Sequence, residues 1–316
     1  MPTQRFDSFR PGAIWPDTDG AHINAHGGGL LWDQGTYYWF GEHKIAGPEG
    51  NRAMVGVSCY SSQDLYNWDN RGIVLPVVED DEDHDLVRGC VIERPKVVHN
   101  ARTGKYVLWF HLELRGQGYS AARTGVAVAD SPLGPYEYQG SFRPDDHMSR
   151  DMTLFVDDDQ TAYLLCASED NQTLHISQLT DDYQRPAGHF ERVFVGRYME
   201  APAICKCEGR YWFIGSGCTG WKPNTARSAV ASSIWGPWEE QGNPCVGPDA
   251  DLTFLAQSTY LLPVHDRPGC FLFLADQWHP ENPIDGRYVW LPLEFIDGRL
   301  VVRWRDQWDL SFFDQQ

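Results

Sequence analysis

The strongest constraint on this chain's fold is a hairpin that returns five times, because a repeated unit must bury its apolar face against copies of itself. Each copy is an apolar strand, a short polar turn and an aromatic strand. The copies fall at residues 29–40, 95–110, 153–165, 202–213 and 259–274. Short turns rich in Gly, Asp and Asn between such runs are the hairpin signature. A further short strand follows three of them, at residues 57–62, 126–131 and 229–233. Gly134-Pro135-Tyr136 and Gly236-Pro237-Trp238 lie 102 positions apart, two units of a blade-sized period. No long amphipathic helix competes with this pattern. The spacing predicts an all-β chain of five four-stranded units arranged radially, a five-bladed β-propeller. A β-sandwich or mixed β fold is the alternative.

Composition narrows the function. The 316 residues carry 44 Asp+Glu against 26 Lys+Arg, a net charge of −18, which repels phosphate backbones and anionic lipid surfaces. No nucleic-acid or membrane partner is therefore expected, and no apolar run approaches the roughly 20 residues of a spanning helix. The opening residues contain no apolar signal core, so the chain as written reads as cytoplasmic, or as secreted or periplasmic if a leader was removed. The eight cysteines show no zinc spacing: Cys205 and Cys207 are two apart, and the others are scattered as small hydrophobes. Most of the 13 tryptophans are expected in the core, although rings also stack on sugar faces.

Candidate site residues gather at the hairpin entries. Glu93-Arg94-Pro95 opens the second hairpin, Arg150-Asp151-Met152 the third and Glu200-Ala201-Pro202 the fourth. The starts of inner propeller strands converge on the axis, so Glu93, Asp151 and Glu200 are expected in one pocket. Converging carboxylates repel, and at least one should have the raised pKa that a general acid requires. His22-Ile23-Asn24-Ala25-His26-Gly27-Gly28-Gly29 precedes the first hairpin, where three glycines permit close backbone approach. Its two histidines lack a sequence-local carboxylate, so neither metal nor other cofactor is expected. The acidic run 79–85 reads as a solvated loop, and Asp157-Asp158-Asp159 as a turn.

Asn24-Ala25-His26-Gly27-Gly28-Gly29, Glu93-Arg94-Pro95-Lys96, Arg150-Asp151-Met152-Thr153, Met199-Glu200-Ala201-Pro202, Ala256-Gln257-Ser258-Thr259 and Arg287-Tyr288-Val289-Trp290 occur in this order. Together they resemble the exo-β-1,3-galactanase branch of glycoside hydrolase family 43, over nearly the whole chain. The resemblance implies a single catalytic propeller over 1–316, with no appended carbohydrate-binding module. It implies an inverting exo-β-1,3-galactosidase acting on the β-1,3-galactan backbone of type II arabinogalactan, with Glu200 as general acid. The aspartate base usual in the family at large is missing before the first hairpin. In the branch resembled, a glutamine matching Gln257 is proposed to hold the water. By the same resemblance Glu93 is a further essential carboxylate and Asp151 tunes the acid or binds sugar. Glu42, Tyr119, Asn171, Thr219 and His26 are expected to contact substrate. Whether Gln257, Glu93 or Asp151 finally takes the water proton stays open. The alternatives are another family 43 activity, α-L-arabinofuranosidase or β-xylosidase, and a non-catalytic carbohydrate-binding propeller.

Overall fold

The computed structural model describes residues 5–315. Five antiparallel sheets follow one another along the chain, each built from one contiguous stretch, and together they form a five-bladed β-propeller. The innermost strands are His26–Asp33, Val91–Asn100, Met152–Val156, Met199–Cys207 and Gln257–Pro263. Each touches the innermost strands on either side, so the five ring the axis. Every predicted hairpin is the inner pair of a blade. The three shorter predicted elements are third strands, overlapping Met54–Ser62, Arg123–Ala129 and Arg227–Ala231, the last two ending two residues earlier than expected. The fifth sheet departs from expectation: a two-residue strand, Cys245–Val246, adds in parallel to the edge strand Arg299–Arg303. Two residues carry no periodicity, so this strand leaves no trace in the sequence.

Among the described residues no blade borrows a strand from the opposite end of the chain, and the ring closes through backbone pairing and aromatic packing instead. Phe9 and Trp308 exchange backbone hydrogen bonds at 2.7 and 3.1 Å and stack at 4.6 Å. Trp290, on the fifth blade, meets Trp15 at 4.9 Å and Trp39 at 4.7 Å from the chain start and the first blade. The Trp290 side chain is 1% exposed, and its backbone carbonyl accepts the Trp308 indole N–H at 2.8 Å. A Trp290→Ala substitution should therefore cost about 3–5 kcal/mol of stability, the range for truncating a buried aromatic. Denaturant unfolding measures this, and a loss below about 1 kcal/mol would show that the cluster does not hold the ring shut.

Among the described residues, no helix is long and apolar enough to cross a membrane. The acidic run is a loop anchored at both ends. Glu79 pairs with Arg88, while the Asp85 carboxylate accepts from Tyr138 and Ser141 at 2.8 and 2.6 Å. Asp157 begins the turn between its strands and is buried there against Lys206 and Tyr211 of the next blade. All eight cysteines are free thiols.

Candidate active site

The Glu-x-Pro sequences shape the inner strands before they shape the site. In Val91–Asn100 the register slips between Glu93 and Lys96, and in Met199–Cys207 between Glu200 and Ala203. Arg94 and Ala201, each just ahead of proline, sit at φ +55° and +53°. A bulge re-aims the side chain at its edge. Here the two bulges turn Glu93 and Glu200 into one cavity, which Asp151 enters just ahead of the third inner strand. The first blade contributes Glu42 by another route. A Cβ at Gly27 would lie 2.2 Å from Glu42 Oε1, and one at Gly28 2.0 Å from the Phe40 carbonyl oxygen. The bare backbone lets the buried Glu42 accept the Arg94 backbone N–H at 3.0 Å.

The cavity, of about 270 Å³, carries its own cations among these acids. The Arg94 guanidinium donates to Asp151 Oδ2 at 3.0 Å, to Gln257 Oε1 at 2.5 Å and to the Ser258 carbonyl at 2.8 Å. Lys44 pairs with Glu42 at 2.7 Å and donates to Asn51 at 2.8 Å. His111 lies 2.8 Å from Glu93 and 2.9 Å from Glu113. Glu93, His111 and Asp151 bring ligand-type atoms within 4.8 Å of one another. Those atoms already face an imidazole proton and a guanidinium, however, so the donor set does not suit a cation.

The acids are electrically unequal. Burial works to raise the Glu93 pKa, but His111, Lys44 and the Tyr119 hydroxyl outweigh it and hold the group at about 2. Burial, then the Asp151 charge, push Glu200 up to about 7, with Arg94 opposing and Glu93 adding to the rise. Burial also raises Glu42, against the Lys44 charge. The cavity thus pairs one carboxylate that stays ionised with one that keeps its proton to near neutrality, the separation a general acid needs. Asn171 Nδ2 donates to Glu200 Oε1 at 2.6 Å, and Tyr119 donates to Glu93 at 2.8 Å.

Gln257 is fixed at both ends of its amide. Its Oε1 accepts from Arg94 and from the Trp278 indole at 3.1 Å, and its Nε2 donates to Ser216 at 2.9 Å. Trp278 meets Trp221 edge-on at 5.8 Å, giving the cavity an aromatic wall.

Of the expected residues, Glu200, Gln257, Glu93, Asp151, Glu42, Tyr119 and Asn171 line this cavity; Thr219 and His26 do not. Thr219 lies in an adjoining surface recess, where its hydroxyl bonds the Lys222 carbonyl at 2.5 Å. His26 is 1% exposed, stacked on Tyr288 at 5.3 Å and 3.7 Å from Asp276, so it supports the wall from behind. Sequence reasoning missed Asn51, His111, Trp221 and Trp278, which come from a short 3-10 helix, a second strand and loops, and assigned no role to Arg94 or Arg150. Arg94 and Arg150 carried a signal, each lying inside a hairpin-entry motif.

Residues 30–251 match the model of glycosyl hydrolases family 43. Among solved structures, the chain is similar to a family 43 β-1,3-galactosidase solved with galactodeoxynojirimycin, at 47% identity and a TM-score of 0.91, covering 96% of this chain and 100% of that one. It is similar to an exo-β-1,3-galactanase from Phanerochaete chrysosporium solved with β-1,3-galactotriose, at 37% identity and 0.87, covering 96% and 68%. A Clostridium thermocellum exo-β-1,3-galactanase shares 36% identity at 0.86, covering 95% and 66%. No curated protein sequence matches the chain at a significant level.

Proposed function

The chain belongs to glycosyl hydrolases family 43, and from that premise we propose that it is an inverting exo-β-1,3-galactosidase that releases galactose from β-1,3-galactan. The observation that carries the reading is the pairing of Glu200, protonated near neutrality, with ionised Glu93 in a cavity walled by Trp278 and Trp221. The cavity falls just below the ~300–1,000 Å³ usual for ligand pockets, which suits one terminal sugar better than the middle of a chain. Type II arabinogalactan is the natural polymer whose backbone has this linkage.

In this assignment Glu200 protonates the leaving oxygen, held in position by Asn171 Nδ2. Gln257 positions the water that attacks from the opposite face, the arrangement an inverting glycosidase requires. Asp151 and Arg94 form the ion pair that sets the field around both, and Glu93, Glu42 and Tyr119 take sugar hydroxyls. Oxocarbenium character developing at the anomeric carbon is stabilised by the ionised Glu93 carboxylate on the cavity wall.

Incubation with β-1,3-galactan should release galactose alone, with the α-anomer formed first by polarimetry or NMR. Arabinofuranosyl or xylosyl substrates should be cleaved poorly. Internal cleavage, or release of arabinose or xylose in place of galactose, would overturn the reading.

A further inference from the structure

We infer that His111 is a positioning residue: a buried imidazolium, anchored by Glu113, that holds Glu93 ionised and in a single orientation on the cavity wall. The inference rests on the galactosidase reading of the cavity, in which Glu93 meets the sugar.

The geometry starts from the strand ladder. His111 lies directly opposite Glu93 in the pairing of Val91–Asn100 with Lys105–Glu113. Glu113 stands two residues further on, on the same face of the strand. His111 Nδ1 is 2.8 Å from Glu93 Oε2, and its Nε2 is 2.9 Å from Glu113 Oε1. The His111 and Glu113 side chains are both 0% exposed. A neutral imidazole has one N–H, so it satisfies one of these carboxylates and turns a lone pair toward the other. Nε2 is hydrogen-bonded to Glu113, while Nδ1 lies in ion-pair range of Glu93 without being aligned for a hydrogen bond to it, and the imidazolium is the form that presents positive charge to both carboxylates. Burying a charged row of this kind is costly without complete pairing. The pairing is complete at the far end, where the other Glu113 oxygen accepts the Ala122 backbone N–H at 2.9 Å.

The other charged or titratable groups around Glu93 act in the same direction or are already paired. From the loop after Lys105–Glu113, Tyr119 places its ring 5.9 Å from His111 and its hydroxyl on Glu93. From the first blade, Asn51 donates to Glu93 while Lys44 adds positive field. Asp151 and Glu42 are near enough to disfavour a second negative charge, but Arg94 pairs with the first and Lys44 with the second. Against burial, the two carboxylates hold His111 up at about 9. Glu93 therefore stays negative throughout the working range, and that fixed charge helps keep the proton on Glu200. The Glu113–His111–Glu93 row runs from the strand interior to the cavity wall and sets the charge of the reacting face there.

Two measurements test this. In the unmodified protein, ¹⁵N NMR of His111 should show both ring nitrogens protonated at pH 7.5; a neutral tautomer would overturn the proposal. In His111→Asn, Glu93 keeps its burial and loses its cation, so its proton-binding range rises. The acid limb of kcat/KM on a β-1,3-galactooligosaccharide should then move up by about 2 in pH. A uniform fall at every pH, with the acid limb in place, would mean a packing role only. If His111→Asn does not fold, Glu113→Gln carries the test: the ring should lose its proton at a lower pH by NMR, and an unchanged titration would overturn the anchoring. A protein that leaves galactan untouched while its His111 is doubly protonated would refute the galactosidase reading and leave the charged row standing.

Discussion

Replacing Glu200 with glutamine should lower kcat on β-1,3-galactan by roughly 10²–10⁴-fold, the scale for losing a general acid. The amide keeps the size of the side chain and can still meet Asn171, but it has no proton to give the departing oxygen. The pH profile should separate this from a loss of fit. In the unmodified enzyme the acid must be protonated, so the rate should fall as pH rises through about 7, where burial and the Asp151 charge have pushed Glu200. The residual rate of Glu200→Gln should lose that alkaline limb. Leaving groups that need no protonation, such as activated aryl galactosides, should be far less affected. A variant with near-native turnover on unactivated galactan, or with the limb intact, would remove Glu200 from the role.

What could be read from the sequence is whatever the chain encodes locally. The hairpins announce themselves because each inner pair needs a tight turn and two apolar runs, and five of those fix the blade number. Glu93 and Glu200 were legible for a related reason: a glutamate two residues ahead of proline marks a bulged strand entry, and such entries converge on a propeller axis. The rest of the site is built by ring closure. Lys44, Asn51, His111 and Trp278 lie on second strands, in a short 3-10 helix or in loops, where polar and aromatic residues look like ordinary surface or core until the blades meet. Asp276 shows the same limit: it accepts the Gly27 backbone N–H at 2.8 Å across 249 residues, joining the first and fifth blades. His26 illustrates the opposite error. Its glycine-rich setting suggested a ligand contact, whereas those glycines serve the approach of Glu42 and the histidine packs behind the wall.

Gln257→Ala is expected to reduce kcat by roughly 10²–10³-fold with a smaller change in KM, because a water-holding contact matters most in the transition state. Acting as a base would demand more of this amide. An imidic acid carries its proton on Oε1, yet Oε1 already accepts from Arg94 and Trp278, so the amide tautomer is the one these donors stabilise. One hydrogen of Nε2 goes to Ser216, which leaves the second to hold the water oxygen. The water's own proton then needs a different acceptor. Glu93 is a weak one, since its environment keeps its pKa near 2. Asp151 spends Oδ2 on Arg94 and the Ala201 backbone N–H, while Oδ1 has no hydrogen-bond donor among the described residues. Gln257→Glu separates the two tasks. A carboxylate at 257 would meet the same two donors, with Ser216 able to reverse its hydroxyl and donate. The variant should therefore fold and recover part of the rate lost in Gln257→Ala. Near-native kcat in Gln257→Ala would end the water-positioning role and leave Asp151 to hold the water as well as take its proton.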